Sequence, residues 1–361
     1  MRHRKRALID ILAKQWLLIG SVSSLLALTA YIGRPPKIGL DDLKVLFLLF
    51  ALFVTVKGLE TGRVFEKISP HLGNGRFTCL KLTLITFFSS MIFTNDAALV
   101  MAIPLTLAMD IENKPSIIIL QCLSANAGSA FTPFGNPQNL YIYWHYHLHP
   151  LEFFYTIVPF CMVFLILIAI CALYLEKSKN KAAVQAKIRI HKKAIFYLLA
   201  NGAVILAIFR LLPISWLAVM IFFTVLFDPA CLEIDYSLLV TMLCFLGISE
   251  DMKTMFQPVI EHSTHIFLLS ALSSQLISNV PAAFLFAKFT SNWRALLWGT
   301  SVGGFGGLIG SLANLIAYRL YVSSLKNGGI RDFTLRFVLA NYAFFFIGMG
   351  LFYLVKPYIF P

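Results

Sequence analysis

Gly128, Gly135, Asn139 and Leu140 recur at the same spacing as Gly303, Gly310, Asn314 and Leu315, a shift of 175 positions. Both copies sit in apolar sequence, where bare polar groups are expensive. Upstream of each stands a second asparagine in a short polar break: Thr94-Asn95-Asp96-Ala97-Ala98 in one half, Ser278-Asn279-Val280-Pro281-Ala282 in the other. The chain is a duplicated unit. Glycine and asparagine at matching interruptions of hydrophobic helices expose backbone groups to a solute at mid-membrane depth.

Composition implies lipid as the solvent. Of the 361 residues 58% are apolar and 13% charged, which does not describe two ordinary soluble domains. Apolar stretches able to cross about 30 Å of hydrocarbon recur along nearly the whole chain, as in Trp16 to Ile32, Phe153 to Leu175 and Phe337 to Val355. No room is left for a separate soluble domain. The net charge of +13 sits in short loops between apolar segments and not on one foldable face, so no nucleic-acid partner is expected. Cys79, Cys122, Cys161, Cys171, Cys231 and Cys244 lie mostly inside hydrophobic segments without paired metal spacing and read as packing residues. Met1-Arg2-His3-Arg4-Lys5-Arg6 ahead of an apolar run resembles a secretory signal, but the run is too long and lacks a small-residue cleavage site before Gly33-Arg34-Pro35-Pro36. It is expected to stay as a first helix.

Basic residues orient the chain, since cytoplasmic loops are enriched in lysine and arginine. With the amino terminus inside, the loop near Arg34 falls outside and the loop with Arg63, Lys67 and Arg76 inside. The segment from about Cys79 to Met109, interrupted at Asn95, is expected to enter from the cytoplasm and return there near Lys114. The next span exits at His145 to Glu152, and the helix after it ends in the basic loop Lys177 to Lys193. Two helices, about Ala194 to Leu212 and Ile214 to Phe227, form a tight pair around Pro213, and a helix from Tyr236 to Ile248 exits. The second interrupted segment, about Thr264 to Phe289, dips in from outside and returns there. The span from Arg294 ends inside at Lys326 and Arg331, and Phe337 to Val355 carries the terminus outward.

Roughly 20 Lys and Arg fall inside against about 8 outside, the bias of a correct orientation. The two hairpins enter from opposite faces, which makes the repeat inverted. The expected fold is an all-α polytopic membrane protein of two inverted-topology repeats, each with a re-entrant helical hairpin and a broken transmembrane helix. The first repeat is placed at 1–176, with its hairpin at about 79–110 and broken helix at about 115–148. A basic cytoplasmic loop at 177–193 and a linking helix at 194–212 follow. The second repeat, 213–361, has its hairpin at about 264–290 and broken helix at about 294–325.

A helix broken in hydrocarbon must find protein, water or solute for its freed N–H and C=O groups. At a break one half-helix presents its positive amino end and the other its negative carboxyl end, so one point can hold an anion and a cation. Asparagine suits such tips because its amide donates and accepts, and because it tolerates a left-handed backbone. Gly135-Asn136-Pro137-Gln138-Asn139 ends its helix with a proline, Gly310-Ser311-Leu312-Ala313-Asn314 with small residues. The candidate solute- and ion-binding residues are Thr94, Asn95, Asp96, Gly135, Asn136, Asn139, Ser278, Asn279, Gly310, Ser311 and Asn314. Helix packing explains any one glycine pair, but not polar asparagines at equivalent places in both halves.

Asp96 either titrates or helps hold a cation, or caps the half-helix starting at Ala97. Lys57, Glu60 and Arg319 are further polar residues in or near spans, and Lys57 and Glu60 stand three apart and can pair. His145, His147 and His149 alternate, which suits an interfacial aromatic belt with Tyr143, Trp144 and Tyr146 better than chelation. Glu261, His262 and His265 share a helical face outside without making a convincing metal site. No Gly-x-x-x-x-Gly-Lys-Ser/Thr run exists, and no acid, base or nucleophile set shares one depth, so neither an ATP-driven motor nor an enzyme is expected.

At Thr94 to Ala98, Gly128 to Leu140, Ser278 to Ala282 and Gly303 to Leu315 the chain resembles the ion transporter superfamily. Its citrate-transporter-like permeases, its arsenite and sodium/proton antiporter branch and its divalent-anion/sodium symporters share this pattern, and small bacterial anion permeases are most similar. The resemblance implies a scaffold part and a transport part, hairpin tips that hold solute and a coupling Na+ or H+, no other cofactor, and a homodimer in the bacterial inner membrane. Thr94-Asn95-Asp96 and Ser278-Asn279-Val280 match the paired Ser-Asn-Thr tips of dicarboxylate symporters, except that Asp96 and Val280 replace the tip threonines. The reading is a secondary active transporter of a small ion, a carboxylate or oxyanion, working by alternating access. A Na+/H+ antiporter and a non-transporting membrane assembly protein are the alternatives.

Overall fold

The structure, a computed structural model, describes residues 15–62, 77–176, 193–256, 260, 262–325 and 328–359. The basic amino-terminal run, the loop with Arg63, Lys67 and Arg76, the basic loop up to Lys192, Glu261 and Lys326 lie outside the described residues.

The regular elements among the described residues are helices. They are α1 (Trp16–Ile32), α2 (Leu40–Thr61), α3 (Thr78–Ile92), α4 (Asn95–Ala108), α5 (Lys114–Ser129), α6 (Pro137–His145), α7 (Pro150–Leu175) and α8 (Lys193–Ile208). There follow α9 (Ser215–Phe227), α10 (Tyr236–Phe256), α11 (Ser263–Ile277), α12 (Asn279–Phe286), α13 (Trp293–Gly303), α14 (Leu312–Ser324) and α15 (Ile330–Ile359). Short 3-10 turns lie at Pro229–Leu232 and Ala287–Phe289. By length and composition three stretches can cross a membrane: α7, Pro229–Met255 and α15. Pro150 opens α7 with its preset backbone, and the His149 ring accepts from Leu151 N–H. Ile166, Ile170 and Leu173 of α7 and Phe222, Phe223 and Phe227 of α9 are exposed, the kind of apolar face a bilayer covers.

Element order repeats. A helix (α2, α10) is followed by a pair parted by one or two residues (α3 and α4, α11 and α12), a pair parted by a longer loop (α5 and α6, α13 and α14), and a long helix (α7, α15). Packing repeats with it, because a glycine on each longer-broken helix lets backbones touch. α5 lies against α3 and α13 against α11. A Cβ on Gly128 would strike the Phe87 carbonyl, and one on Gly303 would strike Ser274 Oγ and stand 3.2 Å from the Ala271 carbonyl. Phe87 and Ala271 each stand eight residues before the tip asparagine, Asn95 or Asn279. Between the halves, α1 packs on α10, α14 on α4 and α5, and α12 on α6, while the linking helix α8 packs on α2. At the centre Phe160 and Phe164 of α7 pack with Trp298, Phe305 and Phe344, and Trp298 donates its indole N–H to the Thr156 carbonyl at 2.8 Å.

Two local features differ from the sequence reading. Helix α10 does not end at Ile248 but runs on to Phe256, and the Glu250 it takes in is paired with Lys288. The tip asparagines are not left-handed either. Ser278 takes that conformation (φ 72°), Thr94 is extended (φ −144°), and Asn95 and Asn279 are the first residues of α4 and α12. A helix start leaves N–H groups without intrahelical acceptors, which is what the next contact uses.

Candidate functional site: a cavity between two helix breaks

Each short break is pinned to the longer break beside it. Asn95 N–H donates to the Gly135 carbonyl at 3.2 Å, and Asn279 N–H donates to the Gly310 carbonyl at 3.0 Å. A free helix-start donor and an unwound-loop acceptor thereby satisfy one another. Asn139 Nδ2 donates to the carbonyls of Ser129, Ala130 and Thr132 at 3.2, 3.1 and 3.0 Å. Asn314 Nδ2 donates to those of Gly304 and Gly307 at 3.0 and 2.9 Å. Ser129 and Thr132 moved by 175 positions are Gly304 and Gly307, so the same bonds form twice. Asn139 and Asn314 act as clasps between the carboxyl end of one half-helix and the start of the next.

The halves meet through Asn126, which sequence reasoning missed. Its Nδ2 donates to Asn314 Oδ1 at 2.7 Å, and its Oδ1 accepts from Asn95 Nδ2 at 3.5 Å. Asn279 Nδ2 closes the same region, 3.0 Å from where a Cβ on Gly304 would stand. Gln275 was also missed: its Nε2 donates to the Gly303 and Phe305 carbonyls, and its Oε1 accepts from Gly307 N–H at 2.9 Å. The signal for both is a polar side chain in an apolar helix. Comparing the halves hides it, because the residues at the corresponding places are Ser301 and Met91.

A cavity of about 390 Å³ reaches both short breaks. Of the predicted residues, Asn95, Asp96, Ser278, Asn279 and Ser311 line it, joined by Asp235 and Arg319. Thr94, Gly135, Asn136, Asn139, Gly310 and Asn314 stand behind that wall in the clasps and caps. Thr94 caps α4, its Oγ1 accepting from Ala97 N–H at 3.3 Å, and Ser311 caps α14, accepting from Ala313 N–H at 3.2 Å. The capping role weighed for Asp96 therefore belongs to Thr94. Asp96 is in the first turn of α4, with a buried Oδ1 that has no protein partner. Asn136 donates to Ser129 Oγ at 2.7 Å.

The remaining polar residues fall elsewhere. Lys57 pairs with Glu60 at 3.2 Å. Trp144 donates its indole N–H to the Ile208 carbonyl, and Arg210 lies over the Tyr143 and Trp144 rings. His145 and His147 line a second cavity. The His262 and His265 rings are 5.1 Å apart, and no group of three metal ligands occurs among the described residues.

An apolar all-helical chain whose paired helix breaks are clasped by buried amides around a shared polar cavity is a polytopic membrane transporter. It belongs to the citrate transporter family, which matches residues 12–303. The chain is 31% identical over 327 residues to an uncharacterised transporter of Methanocaldococcus jannaschii, covering 88% of this chain and 90% of that one. It is 29% identical over 301 residues to the inner membrane protein YbiR of Escherichia coli, covering 77% and 80%. A stretch of 126 residues, 33% of this chain and 26% of the relative, is 33% identical to a silicon efflux transporter of Oryza sativa subsp. japonica.

Proposed function

We propose that this transporter is a secondary carrier that moves a small carboxylate or oxyanion by alternating access, coupled to Na+ or H+. One observation carries the reading: Asn95 from one half and Asn279 from the other line a single cavity. The starts of α4, α12 and α14 face it, and helix amino ends favour an anion. Arg319 adds positive charge, while Asp96 and Asp235 offer oxygens to a coupling cation or proton.

Contacts between helix ends support inverted repeats. Thr78 and Cys79 N–H donate to the Glu176 carboxylate and Lys193 pairs with Asp228, all ends that the charge tracing assigns inside. Trp144 meets Ile208, Lys356 meets Thr264, and Tyr146 donates to the carbonyls of Ala287 and Thr290, all ends assigned outside. Both ends of the α11 and α12 pair thus contact outside ends, as a hairpin dipping in from that face requires. Trp16 and Asp235 at the cavity wall belong to inside ends, so the site is read as facing the cytoplasm. The amino terminus is then cytoplasmic and the carboxyl terminus outside, in a plasma (bacterial inner) membrane.

A Na+/H+ antiporter is the second reading, favoured by the buried Asp96 oxygen that no protein donor meets. Proteoliposomes under an imposed Na+ or pH gradient test both. Citrate and silicic acid, after the names of the family and the plant relative, are offered first, followed by oxyanions chosen by thermal shift. Asn279→Ala is expected to cut uptake to background while eluting and melting as a folded protein. Uptake at the unmodified level by that variant removes the site assignment, and sodium-driven proton movement with no anion present selects the antiport reading.

A further inference from the structure

A second cavity, of about 380 Å³, lies toward the other end of α10. Asp235, Ser237 and Thr241 wall the first cavity where α10 begins, and Glu250 and Lys253 wall the second where it ends. From Thr241 to Lys253 a helix rises about 18 Å, more than half the thickness of a hydrocarbon core. The cavities therefore look toward opposite faces.

Lys288, on the turn after α12, stands at the wall of the second cavity and makes two ion pairs at once. It reaches Asp42 of α2 at 3.2 Å and Glu250 of α10 at 3.0 Å. Its side chain is 8% exposed, that of Asp42 10% and that of Glu250 29%. Helices α2 and α10 hold the same place in the two halves, so a residue of one hairpin is gripped from both. The same hairpin end is fixed to the broken helix of the other half: Tyr146 donates to the Ala287 and Thr290 carbonyls, and Tyr141 stacks on Phe284 at 4.0 Å. The ion cluster thus joins α2 and α10 to a unit made of hairpin and broken helix.

We propose that Lys288, Asp42 and Glu250 form a latch that holds the mouth opposite the first cavity shut, and that it parts when the two tips turn toward that mouth. The proposal rests on the alternating-access reading above. Buried charges are tolerable only while paired, so the cluster has two acceptable arrangements, all three groups joined or all three hydrated. Parting one pair alone leaves Lys288, at 8% exposure, short of a partner before water reaches it, which favours opening of the cluster as a unit. The second cavity gives the side chains room to separate, and Lys37 and Lys253 already border it.

The test needs no solute. Val45→Cys reports the second cavity and Ser237→Cys the first, in protein reconstituted in nanodiscs and exposed to a charged maleimide. Labelling is read peptide by peptide, so the native cysteines do not interfere. Lys288→Met, which leaves two carboxylates side by side, is expected to speed labelling at position 45 by about tenfold or more and to slow it at 237. Asp42→Asn combined with Glu250→Gln keeps the shapes, strands Lys288 and is expected to act the same way, so the idea does not hang on one variant folding. Exchange of the charges in Lys288→Glu with Glu250→Lys returns both rates toward their starting values. Unchanged rates at both positions overturn the latch, and so does a rise at 45 with no fall at 237. Either result leaves the carrier reading standing, because that is decided by uptake through Asn279→Ala.

Discussion

Most amides buried in an apolar bundle have their donors and acceptor met, and Asn314 meets them with the Gly304 and Gly307 carbonyls on one side and Asn126 Nδ2 on the other, whereas Asn139 Oδ1 in the equivalent clasp has no protein partner. Side-chain hydrogen bonds inside membranes average about 0.6 kcal/mol, so Asn314→Ala, which loses four including that from Cys122 Sγ, is expected to cost about 2.4 kcal/mol. Asn126→Ala made on top of it should cost much less than Asn126→Ala alone, because the partner is already gone. Unfolding midpoints in detergent for the double-mutant cycle decide this, and simply additive losses would refute the Asn126–Asn314 bond. At this scale the duplicated asparagines were legible because their spacing repeats, but their direction was not. A sequence shows that Asn139 and Asn314 are costly in lipid. It does not show that their amides turn to backbone carbonyls while Asn95 and Asn279 face the cavity. Asn126 and Gln275 stayed hidden because neither has a like residue at its counterpart position.

Helix pairs are held by the close approach at Gly128 and Gly303, and the two contacts differ in what blocks a side chain. At Gly128 the nearest obstacle to a Cβ is the Phe87 main-chain carbonyl, which cannot be trimmed, while at Gly303 it is the Ser274 side chain. Both Gly128→Ala and Gly303→Ala force the helices apart, at a cost of about 1–3 kcal/mol for overpacking. Adding Ser274→Gly should recover much of the Gly303→Ala loss, and adding Ser90→Gly should recover little of the Gly128→Ala loss. Monodisperse protein remaining after graded heating measures both rescues, and equal rescue at the two sites would mean that these contacts do not set the packing. The breaks at this scale were readable from Pro137, the glycine runs and the tip asparagines, whose physics is local. The end of α10 was not, since what meets the Glu250 charge is Lys288, 38 residues further on, a contact no local pattern shows.

For the molecule as a whole, the order of elements could be followed in the sequence, while the face toward which the cavity opens could not, because that depends on how α1, α10 and α14 assemble around the tips. Inversion itself makes a demand that no single half can meet. Glu112 stands two residues before α5 and Ser291 two residues before α13, both exposed and both at the base of a hairpin. In a parallel repeat these equivalent positions would share a face, and in an inverted repeat they must lie on opposite ones. With the amino terminus inside, Ser291→Cys is expected to react with an impermeant maleimide on intact cells. Glu112→Cys should react only after the cells are permeabilised. Labelling of both from the outside, or of neither, would leave the two hairpins entering from one face. Two helix breaks approaching from one side cannot alternate a shared site between compartments by rocking about its centre, so that single outcome would dismantle the carrier reading from the topology upward.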